Sequence, residues 1–131
     1  MVVIPVLYGR VTSGRGEGRY YMSLKPYRER FKNILGYYPY EGTLNIKLSE
    51  YIPLDMSKCL EIDGFEYEGK KYYGVKVLPA KVSKDEFAIK GALIFPEKSN
   101  HPKDIVEVIS PLNLRNYLSL KNGDIVKIVV E

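Results

Sequence analysis

The sequence predicts a mainly β fold, a small barrel or sandwich of short strands carrying one or two short helices. Three features of its 131 residues predict it. Apolar runs are short and are separated by glycine, proline and charged turns. Gly42–Leu48 alternates, with Leu44, Ile46 and Leu48 on one face and Thr43, Asn45 and Lys47 on the other, the period of a strand with one buried side. Only one stretch has an unmistakable helical stripe: Leu24, Tyr27, Phe31, Ile34 and Leu35 recur at intervals of three and four. The length suits a single domain over residues 1–131, since domains most often run to roughly 100–150 residues.

In chain order, Val2–Tyr8 reads as a buried strand and residues 11–18 as a polar, glycine-rich loop. Tyr20–Met22 suits a short strand. The striped helix follows, with Ser23 to cap its start, Pro26 in its first turn and Gly36 to end it. Lys25, Arg28, Arg30 and Lys32 then project outward. Further strands are expected around Cys59–Ile62, Tyr72–Val82, Phe87–Phe95 and Ile105–Ile109, and a short helix over Leu112–Leu118 after Pro111. Asn122-Gly123 is a turn signal, and Ile125–Val130 is a buried last strand.

Composition narrows the function. The formal net charge is +4, from 20 basic and 16 acidic residues, a modest excess that fits an anionic ligand such as a nucleotide and fits weak nucleic-acid contact equally well. Cys59 is the only cysteine and His101 the only histidine, so neither an internal disulfide nor a thiolate or multi-histidine metal site can be built. One unpaired cysteine suits the reducing cytoplasm. The apolar start, Met1–Tyr8, is too short to span a bilayer, so no membrane association is expected.

Four segments carry candidate chemistry. Gly14-Arg15-Gly16-Glu17-Gly18 places glycine at alternate positions, so backbone N–H groups can approach an anion without an intervening Cβ and form a nest for phosphate oxygens. Arg15 and Arg19 add charge, and Thr12 and Ser13 add hydroxyls. A plain surface turn is the competing reading. No Lys-Ser/Thr pair follows, so this is not a Walker loop, and no complete dinucleotide fingerprint or surrounding βαβ unit is present. Thr43 and Asn45 sit two apart on a strand, so their oxygens emerge on one face and can share a hard cation whose shell phosphate and water complete. An ordinary solvated strand face would look the same. Glu107 is a carboxylate among Ile105, Val106, Val108 and Ile109, either one solvated acid or a pocket carboxylate for a hydroxylated substrate. His101 reads as a loop residue. In Pro111-Leu112-Asn113-Leu114-Arg115, running on to Asn122-Gly123-Asp124, the pattern is mainly architectural and leaves Arg115 for a ligand.

In their order and spacing these segments resemble the CTP-dependent riboflavin kinases of archaea along the whole chain. The match takes in Gly9-Arg10-Val11 with Ser13 to Gly18, Tyr37 to Leu48, Ser99 to Glu107, and Pro111 to Arg115 with Asn122-Gly123-Asp124. The resemblance implies a six-stranded cradle-loop (RIFT-related) β-barrel and transfer of the γ-phosphoryl of CTP to the ribityl 5′-hydroxyl of riboflavin, giving FMN and CDP. It implies nucleotide binding by Gly14, Arg15, Gly16, Glu17, Gly18, Arg19 and Tyr20 and by Leu112, Asn113, Leu114 and Arg115. It implies Mg2+ on Thr43 and Asn45, and flavin contact by Ser99 and Glu107. Ser99 stands where many relatives have threonine and keeps the hydroxyl. Glu107 would orient the ribityl chain and is the candidate acceptor of its proton. A monomer is expected, with riboflavin/FMN and CTP/CDP rather than nucleic acid as partners. Two other readings stay open on the residues alone: a DNA-binding barrel using the basic helix, and a flavin-binding protein without kinase activity.

Overall fold

The structure is a computed structural model describing residues 5–14, 16–50, 53–98 and 102–131, without the side chain of Glu17. Among these residues β1 (Val6–Thr12) leads through the glycine loop into two consecutive helices, α1 (Glu17–Ser23) and α2 (Lys25–Leu35). Then come β2 (Leu44–Leu48), β3 (Leu60–Ile62), a hairpin of β4 (Phe65–Tyr67) and β5 (Lys70–Tyr72), the long strands β6 (Val75–Lys84) and β7 (Phe87–Pro96), β8 (Ile105–Ile109), the short helix α3 (Leu114–Tyr117) and β9 (Ile125–Val130).

Six antiparallel strands close on themselves in the order β6-β7-β8-β2-β1-β9, with β9 returning to β6. Strand β3 occupies the remainder of the β6 edge, Leu60 opposite Val77, while β9 takes Ala80 to Ser83. Closure leaves the six barrel strands without a free edge, the usual solution for a small antiparallel sheet. The barrel interior is filled by Leu7, Ile46, Leu78, Val82, Leu93, Val108 and Ile128.

A second apolar cluster lies on the outer face of the same sheet. Met22 of α1 with Tyr27 and Phe31 of α2 pack there on Val75, Val77, Ala92, Ile94 and Ile109. Strand β6 is therefore used on both sides, Leu78, Ala80 and Val82 inward and Val75 and Val77 toward the helices, while Lys76 and Lys81 are exposed. Side-chain alternation along β2 and β8 puts Asn45 and Glu107 on the helix-covered outer face, because Leu44, Ile46, Val106 and Val108 face the interior.

Five points of local structure differ from expectation. The segment Tyr20–Met22 is helical, not a strand. Three apolar residues are too few for periodicity to separate the two, and burial of Met22 against α2 decides. Ser23 does not cap α2: its Oγ donates to Tyr20 O at 2.6 Å and closes α1, while Leu24, extended at ψ 127°, holds the cap position before Pro26. The described residues hold three α-helices rather than one or two. The β4–β5 hairpin was not foreseen as separate strands. Its turn needs positive φ at Glu68 (51°) and Gly69 (77°), a primed turn for which Gly69 was the readable signal. The first strand begins at Val6 among the described residues and runs on to Thr12, past its expected end at Tyr8.

Near the last turn, Asp124 Oδ2 accepts from Lys121 N at 2.8 Å and from Lys84 Nζ at 3.2 Å. These bonds, the backbone one foremost, hold its carboxyl below the usual 3.8. A depressed carboxyl contributes stability above its unfolded pKa and loses it as pH falls through the folded value. Asp124→Asn is expected to unfold at lower denaturant than the parent at neutral pH, with the gap closing well below pH 3.8; equal midpoints at neutral pH would contradict this.

Candidate functional site

The glycine loop lies directly on strand β2. A Cβ on Gly14 would fall within the amide of Asn45, whose Cγ would be 2.8 Å away. A Cβ on Gly18 would fall on the Thr43 hydroxyl, with Thr43 Cγ2 at 2.8 Å. Glycine is needed at both places for close approach to a neighbouring strand. Gly16 answers a different need: it caps α1 in the left-handed region at φ 81°, with open space around it. The loop therefore sits directly between a strand and a helix, where a short strand over Tyr20–Met22 was expected before the first helix, although no parallel βαβ crossover is formed among the described residues.

Asn45 stands opposite both Thr12 and Glu107 in the sheet. Thr43 Oγ1 donates to Glu107 Oε1 at 3.1 Å. Glu107 is 9% exposed, so it is not a carboxylate on a solvated face. The Oδ1 atom of buried Asn45 has no hydrogen-bond partner among the described residues. A buried oxygen of this kind costs free energy until something supplies positive charge or a proton. With the Thr43 proton directed at Glu107, its lone pairs are left for another partner. An amide oxygen, a hydroxyl oxygen and a nearby carboxylate form the all-oxygen donor set that a hard divalent cation takes, so these residues fit magnesium.

Two cavities meet at this wall. The first, about 350 Å³, runs from the glycine loop along Thr43 to Ser110 and Leu112–Arg115, with Tyr40 and Glu41 on its border. The second, about 490 Å³, is lined by Met22, Tyr27, Phe31, Tyr72, Tyr73 and Ile94 among others. Ser13, Gly14, Gly18, Asn45 and Glu107 belong to both.

The far end of the chain closes the first cavity. Arg115 Nη2 donates to Asn122 Oδ1 at 2.8 Å and to Thr12 O at 3.4 Å, and Asn122 Nδ2 donates to Ser13 Oγ at 2.7 Å. Asn113 Oδ1 caps α3 by accepting from Asn116 N at 3.1 Å, Leu114 is buried, and Leu112 is exposed on the border. Arg19 also lines this cavity. Tyr20 does not: its ring packs edge-on to Tyr21 at 5.3 Å and lies under Lys70. Arg15, Ser99 and His101 lie outside the described residues, as does the side chain of Glu17.

Sequence reasoning missed the wall of the second cavity. Tyr27 meets Phe65 edge-on at 4.9 Å, and Phe65 stacks on Tyr72 at 5.4 Å, so the β4–β5 hairpin and α2 form one aromatic assembly. Burial pushes the Tyr27 phenol up to about 12, and its hydroxyl donates to Tyr73 O at 2.7 Å. A hydrogen bond with Tyr20 and then burial push Tyr72 to about 12 as well. Both rings are therefore neutral surfaces over the physiological range. The helical spacing of Tyr27 and Phe31 and the alternating aromatics around Glu68-Gly69 were the available signals.

The basic helix has internal partners for three of its four cations. Arg28 pairs with Glu41 at 3.2 Å, Arg30 lies 4.1 Å over the Phe65 ring, and Lys32 donates to Gly36 O at 2.9 Å. No helix of the described residues is long and apolar enough to cross a membrane.

Gly18→Ala tests the loop-on-strand packing. Within a helix alanine is favoured over glycine by about 1 kcal/mol, which offsets the shift forced on Thr43. Unliganded stability should change by less than about 1 kcal/mol, while any rise in melting temperature that magnesium with a nucleoside triphosphate gives the parent should largely vanish. An undiminished rise would show that Thr43 is free to move.

The family model for the CTP-dependent riboflavin kinase domain, described as domain of unknown function DUF120, matches residues 11–130. The chain is 52% identical over 122 residues to the riboflavin kinase of Methanococcus aeolicus, covering 93% of this chain and 95% of that one. It is 50% identical over 124 residues to that of Methanococcus vannielii, covering 94% and 95%. To the longer riboflavin kinase of Pyrobaculum aerophilum it is 43% identical over 129 residues, covering 95% of this chain and 60% of that one. The chain belongs to the CTP-dependent riboflavin kinase family.

Proposed function

We propose that this protein transfers the γ-phosphoryl group of CTP to the ribityl 5′-hydroxyl of riboflavin, giving FMN and CDP, as a single cytoplasmic domain acting as a monomer. That it is a riboflavin kinase follows from the family and its relatives. The observation that carries the finer reading is the shared wall: one polar cavity under a glycine loop and one aromatic cavity meet at Asn45 and Glu107, so a nucleotide and a flat apolar substrate would abut there. The choice of CTP rests on the family.

Phosphoryl transfer asks a protein mainly for position and charge neutralisation. In this reading the N–H groups of Gly14 to Tyr20, with Arg15 and Arg19, hold the phosphates. Leu112 to Arg115 close over the nucleotide, tied to the loop through Asn122 and Ser13. Thr43 and Asn45 hold magnesium, which when bound neutralises charge on the phosphate oxygens. Glu107 orients the ribityl hydroxyl from the wall common to both cavities and takes its proton. Ser99 contacts the flavin, whose ring lies between the aromatic walls.

Incubation with riboflavin, magnesium and each of the four nucleoside triphosphates should yield FMN with CTP and little with the others. No FMN with any of them would refute the reading. Asn45→Ala should lower turnover at least about a hundredfold. Because its Oδ1 is buried without a partner among the described residues, the same change should leave the unliganded protein as stable as the parent, or more so. Near-normal turnover at limiting magnesium would remove Asn45 from the metal site. Glu107→Gln keeps the shape without the charge: loss of flavin affinity with turnover intact would make Glu107 a binding residue only.

A further inference from the structure

The second cavity carries more described lysines than its substrate's charge calls for. Riboflavin is neutral, yet Lys70, Lys71 and Lys98 stand at this cavity and none of them lines the phosphate cavity. Each ammonium rests on an aromatic face. Lys98 Nζ is 4.6 Å and Lys71 Nζ 5.7 Å from the centre of the Tyr73 ring, and Lys70 Nζ is 5.5 Å from that of Tyr72. Among the described residues none of the three forms an ion pair with a carboxylate. At the other extreme, Met22, Phe31, Val75 and Ile94 give the cavity a buried hydrocarbon floor. The pocket is chemically two-ended.

An isoalloxazine ring is two-ended in the same sense. One outer ring carries two methyl groups; the other carries two carbonyl oxygens and an imide. Cations on aromatic faces keep N–H groups available for acceptors, and a hydrocarbon floor penalises a carbonyl that finds no donor. We propose that Lys71 and Lys98, flanked by Lys70, form a cationic rim that recognises the carbonyl edge of the flavin ring and sets which end of the ring enters first. The dimethylbenzene end then meets the floor, and the ribityl chain leaves toward Glu107. This rests on the flavin reading of the second cavity. These lysines are positioning and specificity residues, remote from the transferred phosphoryl group.

Lys71→Met and Lys98→Met, singly and together, keep most of the unbranched side chain and its packing on Tyr73 while removing the charge. Riboflavin affinity is read from quenching of flavin fluorescence, and the reduction potential of bound riboflavin is read in parallel. A cation at the carbonyl edge, where negative charge gathers on reduction, raises that potential; a lysine that merely packs does not move it. The expected result is a potential above that of free riboflavin for the parent, most of that rise lost in the double variant, and affinity weakened roughly tenfold. Lys71→Arg with Lys98→Arg should retain both. A methyl added on the imide nitrogen should cost little binding, and a bulkier group in place of a benzenoid methyl should cost much more. Unchanged affinity and potential in the double variant, or the reverse order for the two analogues, would overturn the rim. FMN formation by the parent is assayed alongside. Its absence with every nucleotide would refute the kinase reading, while flavin binding and potential still report on the rim.

Discussion

Everything at the candidate site depends on one close contact, that of the glycine loop with strand β2. Gly14 lies against Asn45 and Gly18 against Thr43 with no room for a Cβ. This contact sets Gly14 and Gly18 of the loop beside the oxygen atoms of Asn45 and Thr43 that fit a cation. The glycines and these oxygens line one cavity, and under the proposed function that is where magnesium and phosphate would meet. The hydrogen bond from Thr43 to Glu107 extends the contact across to β8, so the loop, β2 and β8 are fixed together.

The placement of this assembly follows from the two-sided use of the sheet. A small barrel must fill its interior with side chains, and here Leu44, Ile46, Val106 and Val108 do so. The intervening residues, Asn45 and Glu107, are thereby forced to the outer face. Helices α1 and α2 cover that face further along the sheet and create the second apolar cluster. The site lies where this cover meets the glycine loop, on the flank of the barrel rather than at its mouth. Polar side chains on that flank are buried without being placed in the barrel core, where they would have no partners.

Much of this was legible in the residues. Strict alternation from Thr43 to Leu48 gave both the strand and the shared face of Thr43 and Asn45. The glycine pattern announced the loop, and the stripe from Leu24 to Leu35 announced α2. Three things were not legible. Helix α1 carries too few apolar residues to show a period, and it is decided by Met22 packing on α2. The burial of Glu107 depends on its register opposite Asn45, a relation between residues far apart in sequence. The aromatic cavity is assembled from α2, the β4–β5 hairpin and β7, and no local pattern states that Tyr27, Tyr72 and Ile94 will share a surface. The order of the motifs along the chain identified the family where local chemistry was ambiguous, because order carries the long-range register implicitly.

The link from Arg115 through Asn122 to Ser13 joins positions more than 100 residues apart, and β9 must lie between β1 and β6 before the barrel closes. A nascent chain emerging from the ribosome would hold its glycine loop long before the residues that brace it exist. Binding competence should therefore arrive late and all at once, when β9 pairs with β1 and β6, instead of growing with chain length. Such distant pairings are slow to form, since the loop-closure entropy is lost before the contacts are gained. Substrate present during synthesis would have nothing to grip until the last strand is in place, so assembly of this catalyst is gated by its own topology.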